Sequence, residues 1–208
     1  MIIERVEDSK AVLGAPVLET LTQAVGDKMV PPLTKVEGDI IGLCILVDFP
    51  DDEATISQAE VGRFLNQTTE YTEFGNACSV NEYFHIQSNG KLNYTNIVTP
   101  WVRMPHPKIY YDDNSLESAK PSQLVNTALD ILASQGFDFT GISAVNIYYA
   151  GFCYSGWRRG LWPHSAGGYQ MTNMGDAPTL GTFCHENGHM ICGFPDLYSY
   201  TASYLGTS

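Results

Sequence analysis

Apolar positions fall into blocks whose spacing switches between the two-residue repeat of a strand and the three-to-four-residue repeat of a helix. Ile40-Ile41-Gly42-Leu43-Cys44-Ile45-Leu46-Val47 is apolar apart from its glycine and rich in β-branched side chains. That pattern predicts a strand buried on both faces, ended by the loop Asp48-Phe49-Pro50-Asp51-Asp52. Ser57 followed by Glu60, and Ser79 followed by Glu82, are capping-box pairs. They predict one helix through Ala59, Phe64 and Leu65 to about Gln67, and a second through Tyr83, Phe84 and Ile86. Asn89-Gly90 then turns the chain into Leu92, Tyr94, Asn96 and Val98, a strand alternation. Pro121 opens a helix carrying Leu124, Ala128, Ile131 and Leu132, and Gly136 stops it. Ala144–Ala150 reads as a buried strand and Gly168–Met174 as a short strand near the surface. Pro178 is expected to begin a last helix that stops at Gly193.

Strands alternating with helices predict an α/β (α+β) domain, a twisted mixed sheet with covering helices. Residues 1–38 carry a weaker signal: a short helix near Val17–Val25, broken by Pro31-Pro32, is expected in an N-terminal segment or linker, with residues 39–208 as the main domain.

Composition narrows the function classes. With 44% apolar residues and 16% charged, the 208-residue chain is a folded body and not a disordered tail. Twenty-three acidic residues against 11 basic give a net charge of −12. That charge disfavours nucleic acid and anionic lipid as partners. No apolar run approaches membrane-span length, and Met1–Lys10, with Glu4, Glu7 and Asp8, has no basic-then-apolar leader pattern. The five cysteines, Cys44, Cys78, Cys153, Cys184 and Cys192, contain no C-x-x-C pair, which argues against a thiolate zinc site. Cys184 and Cys192 would stand roughly 12 Å apart along one helix, so they are expected as small core residues and not as a disulfide. Asn66-Gln67-Thr68 and Asn93-Tyr94-Thr95 match glycosylation sequons, a signal that matters only in a eukaryotic secretory setting.

The chemistry concentrates at His185-Glu186-Asn187-Gly188-His189, an H-E-x-x-H motif on the last helix. Residues i and i+4 share a helix face, so His185 and His189 can reach one zinc ion. Glu186, turned about 100° from His185, can flank the ion without ligating it and take a proton from a metal-activated water. The plain alternative is a solvated helix face that happens to carry these residues. A catalytic zinc site needs a third protein ligand and an open position. Downstream of His189 the chain has no His, no Glu and one carboxylate, Asp196. A left-handed turn at Gly193, with Pro195 barring further helix, would swing Asp196 back toward the ion.

The run Thr182–His189, continued by Met190-Ile191-Cys192-Gly193-Phe194-Pro195-Asp196-Leu197-Tyr198, resembles the immune inhibitor A-like family of secreted zinc metallopeptidases. The segments 42–50, 79–94, 160–164 and 172–175 are similar to that family's catalytic domain as well. The resemblance covers roughly residues 40–200. It implies a metzincin-like fold, extracellular proteolysis of protein or peptide substrates, His185 and His189 as zinc ligands, Asp196 as the third and Glu186 as the base. In the common metzincin spacing the glycine and third ligand fall three and six residues after the second His; here Gly193 and Asp196 fall four and seven after His189. The resemblance also predicts a methionine turn downstream of the third ligand. No Met follows Met190, so residues 39–208 are expected to be the N-terminal part of the catalytic domain, with its lower subdomain absent. Two other functions stay open beside the endopeptidase: a zinc hydrolase of non-peptide amides, and a truncated or degenerate module that binds zinc without turnover.

Lesser candidates surround the motif. Residues 168–174 are a candidate edge strand for an extended substrate, against the alternative of a plain surface strand. His164 is a candidate neighbour of the metal or of a calcium loop, and Tyr198 and Tyr200 are candidate oxyanion donors; a structural role is the ordinary reading of each. Asp48, Asp51 and Asp52 could hold Ca2+, though a solvated acidic loop accounts for them as well. Oligomeric state has no signature in the chain.

Overall fold

The computed structural model describes residues 36–115, 120–166 and 168–196. The expected helix near Val17–Val25, the Pro31-Pro32 break, and Tyr198 and Tyr200 lie outside them. Within them the chain forms a mixed α/β fold of six strands and five helices. In chain order these are β1 (Gly38–Asp48), α1 (Gln58–Asn66), α2 (Val80–Gln87), β2 (Leu92–Val98), β3 (Val102–Arg103), α3 (Lys108–Tyr111), α4 (Lys120–Ser134), β4 (Ala144–Tyr149), β5 (His164–Ala166), β6 (Tyr169–Asn173) and α5 (Leu180–Cys192). The strand order is β2-β1-β4-β6-β5, with β3 pairing β1 beyond the end of β2. Neighbours are parallel except β5, which runs antiparallel to β6.

Alternation along β1 divides the interior. Leu43, Ile45 and Val47 face one core with Val145, Ile147 and Tyr149 of β4, closed by Leu124, Val125, Ala128 and Leu129 of α4. Cys44 and Leu46 face the other with Tyr94 and Tyr148, closed by α1, α2 and α5. Both faces of the central strands are therefore dry, which is why β1 and β4 read as near-continuous apolar runs.

Local signals placed most elements. Ser57 Oγ accepts the Glu60 amide at 3.1 Å and Ser79 Oγ the Glu82 amide at 3.0 Å, so α1 and α2 start where the capping pairs predicted. Two expectations are corrected. The last helix begins at Leu180 and not at Pro178, because its first turn is capped from a distance. Asn76 Oδ1 accepts the Leu180 amide at 2.9 Å, and Asn76 Nδ2 donates to the Pro178 carbonyl at 2.9 Å. The strand expected near the surface at 168–174 is β6, an interior strand held between β4 and β5. Its Tyr169, Gln170, Met171 and Thr172 are all buried. Its polar alternation comes from the face beneath the helices, not from solvent. The outermost strand on that side is β5. No helix among the described residues is long and apolar enough to cross a membrane.

Candidate metal centre

Helix α5 packs on the core through Phe183, Cys184, Met190, Ile191 and Cys192, and two polar devices fix its ends. Phe183, 1% exposed, packs edge-on against Phe64 at 5.8 Å and against Tyr148 at 5.1 Å between ring centroids. Asn76 holds the N-terminus as described. At the other end Gly193 adopts φ 65°, the left-handed conformation that suits glycine, and its amide returns to the His189 carbonyl. The helix thus stops at Gly193 as the sequence predicted, and the chain doubles back over its last turn. Phe194 lies on Gly188, where a Cβ would meet the Phe194 ring at 3.3 Å.

The doubling back brings Asp196 to the histidines. His189 Nε2 lies 3.2 Å from Asp196 Oδ1 and 3.1 Å from His185 Nε2, and His185 Nε2 lies 3.8 Å from Asp196 Oδ1. The imidazole planes stand at 89°, centroids 4.6 Å apart. Among the described residues this is the one group of three or more His, Cys, Asp or Glu side chains that converge closely enough for one ion. Ligands at about 2.0–2.1 Å from a tetrahedral zinc stand about 3.3 Å from one another. The three observed separations bracket that value, so the donor set fits zinc in both chemistry and spacing.

Protonation favours the same role. His189 Nδ1 lies 2.6 Å from the Phe194 carbonyl, which can only accept. Nδ1 therefore carries a hydrogen, so in the neutral imidazole it is Nε2 that presents a lone pair to the cluster. Burial, and then the neighbouring His189, lower the pKa of His185, with Asp196 opposing, a shift toward the neutral form that ligates. Glu186 is 8% exposed, and burial raises its carboxyl to about 7, with His189 opposing and Asp196 reinforcing. A carboxyl poised near neutrality can take up a proton and return it.

The other candidates fall elsewhere. Asp48, 5% exposed, is held by both arms of Arg103 at 2.7 and 3.0 Å; Asp52 pairs with Lys108 at 2.8 Å; Asp51 accepts the Lys108 amide at 2.7 Å. These carboxylates are engaged by the protein's own cations and amides, so the loop is neither a converged calcium group nor merely solvated. His164, on β5, contacts the Trp162 carbonyl at 2.6 Å and the Tyr169 hydroxyl at 3.2 Å, a structural bridge. The described cysteines are all free thiols, and Cys184 and Cys192 are buried, as expected. Asn66, in one sequon, is tied to the Asn96 main chain through both side-chain atoms, at 2.9 and 2.7 Å.

Two contributors escaped the sequence. The Phe194 carbonyl that orients His189 is main chain and has no residue signature. A buried polar chain from the sheet to Asn187 was signalled only by Asn146, a lone amide inside an apolar strand, and by Gly42 inside another. No protein-family model and no curated protein matches the chain. The reading of the site therefore rests on its geometry.

Proposed function

We propose that the chain is a zinc-dependent endopeptidase of the immune inhibitor A-like, metzincin-like kind, acting outside the cell on protein or peptide substrates. The observation that carries this reading is the convergence of His185, His189 and Asp196 beside a buried carboxylic acid on the same helix. A zinc ion held there would supply a Lewis acid for the peptide carbonyl and lower the pKa of a water. Glu186 is one residue from a ligand and on the adjoining helix face, so it takes the proton from the attacking water and delivers it to the leaving amine. The Phe194 carbonyl keeps the His189 lone pair directed at the site throughout. Substrate would lie along β5, the outermost strand on that side of the sheet, as an extended peptide added to the sheet. A cleft of about 300 Å3 lined by Phe152, Met174, Thr179 and Thr182 lies one turn before Glu186, with room for a substrate side chain.

The test is casein hydrolysis by the purified protein, with a panel of small amides in parallel. A chelator should abolish cleavage, zinc should restore it, and Glu186→Gln should lower kcat/KM by about 10²- to 10⁴-fold. Cleavage of amides alone would identify a non-peptide hydrolase. Zinc uptake without turnover would identify a binding module. Hydrolysis unaffected by Glu186→Gln would remove the assigned mechanism.

A further inference from the structure

The side of α5 opposite the histidines is held by a polar chain running through the core. Tyr94 Oη on β2 donates to Asn187 Oδ1 at 2.7 Å and accepts from Asn146 Nδ2 on β4 at 2.8 Å. Asn146 Nδ2 also donates to Asn96 Oδ1 at 2.8 Å, and Gln170 Nε2 on β6 donates to Asn146 Oδ1 at 3.0 Å. Asn187 Nδ2 closes the chain on its own helix, donating to the Phe183 carbonyl at 2.9 Å. Tyr94, Asn146, Gln170 and Asn187 are each 0% exposed. Three strands and the helix are thus joined through side chains alone.

Gly42 makes independent room for this chain. A Cβ there would stand 2.3 Å from Asn96 Oδ1 and 2.8 Å from Tyr94 Oη, so only glycine lets the amide and phenol cross β1. A layer of buried amides inside an apolar core adds little net stability over well-packed hydrocarbon, yet a half-satisfied one is costly. What it provides is direction. An apolar helix face can rotate or slide on its neighbours, whereas Tyr94 Oη meets Asn187 Oδ1 at one azimuth of α5. Asn187 is two residues from each histidine, about 200° around the helix from both.

We propose that Tyr94 and Asn146 are positioning residues: acting through Asn187, they set the rotation of α5 and so keep His185 and His189 on its outward face, with Glu186 buried beside them. In its bearing on zinc this rests on the reading above; in its bearing on the helix it does not. Tyr94→Phe removes the bridging hydroxyl. Asn187→Ala removes the helix end of the chain while leaving the amides of the sheet joined, so it retains the core if Tyr94→Phe folds poorly. Tyr149→Phe is the control, since it deletes an equally buried hydroxyl, bonded to the Leu161 carbonyl at 2.7 Å on the opposite face of the sheet.

Two readouts decide. In chelated protein, hydrogen exchange of α5 amides should accelerate at least tenfold in Tyr94→Phe and Asn187→Ala relative to β1 and β4 amides, and not in Tyr149→Phe. Zinc or cobalt affinity, by titration, should fall about 10- to 100-fold in the first two variants and stay unchanged in the control. Exchange that rises uniformly, or α5 exchange and metal affinity that match the control, overturns the proposal. If the unsubstituted chain takes up neither metal, the zinc reading falls, and the exchange data still decide whether the chain of amides orients α5.

Discussion

His189 illustrates how neighbours assign a side chain its chemistry. The Phe194 carbonyl claims Nδ1, so Nε2 is the nitrogen that faces Asp196 and His185. Asp196→Ala should weaken zinc binding about 10-fold or more, measured by competition with a chromophoric chelator. Glu186 gives a pH signature in the metal-free state. Its carboxyl sits near 7 in the folded protein, above its ordinary 4.5, so the folded state binds the proton more tightly than the unfolded state. Stability from this group is full below about 4.5 and is lost as pH rises through about 7. The lowered pKa of His185 works in the opposite sense, its stability cost falling away as pH rises. Comparison with Glu186→Gln isolates the carboxyl: by calorimetry of chelated protein, the variant should lack that decline, and an identical pH profile would contradict the buried-acid account. The two histidines and the glutamate were legible from their spacing, and Asp196 from the scarcity of downstream ligands. The Phe194 contact was not legible, because a carbonyl looks alike on every residue.

At the scale of elements, legibility followed the range of the interaction that ends each one. Helices α1 and α2 start at Ser57 and Ser79, whose caps lie three residues from their partners, and sequence spacing found both. Helix α5 starts at a cap supplied by Asn76, 104 residues before Leu180, which no local pattern can show. Strand β6 was found but misplaced, since Gln170 and Thr172 face the buried underside of the helices and not water. Two predictions belong here. Asn76→Ala should lower stability by about 1 kcal/mol, read as a shift in the denaturant midpoint. Phe183→Ala should cost about 3–5 kcal/mol, because its ring joins α5 to Phe64 and Tyr148.

Across the whole molecule, the mixed sheet separates the scaffold from the site. One core lies under α4 and is pinned at its rim by Lys108, 2% exposed, which reaches Asp52 at 2.8 Å and the Ala150 carbonyl at 2.7 Å. The other core carries α5 and the converging side chains of His185, His189 and Asp196. Lys108→Ala should therefore destabilise the fold by about 3 kcal/mol while leaving zinc affinity unchanged, since the cation touches only the first core. The alternation of strands and helices made the α/β class legible, but strand order depends on pairings between distant segments that the sequence does not display. X-ray absorption at the zinc edge on the zinc-loaded chain tests whether two imidazoles and a carboxylate hold the ion. The expected result is one zinc per chain with nitrogen and oxygen neighbours at about 2.0–2.2 Å and the outer-shell scattering of two imidazoles. Sulfur neighbours at about 2.3 Å, or no zinc retained, would contradict it.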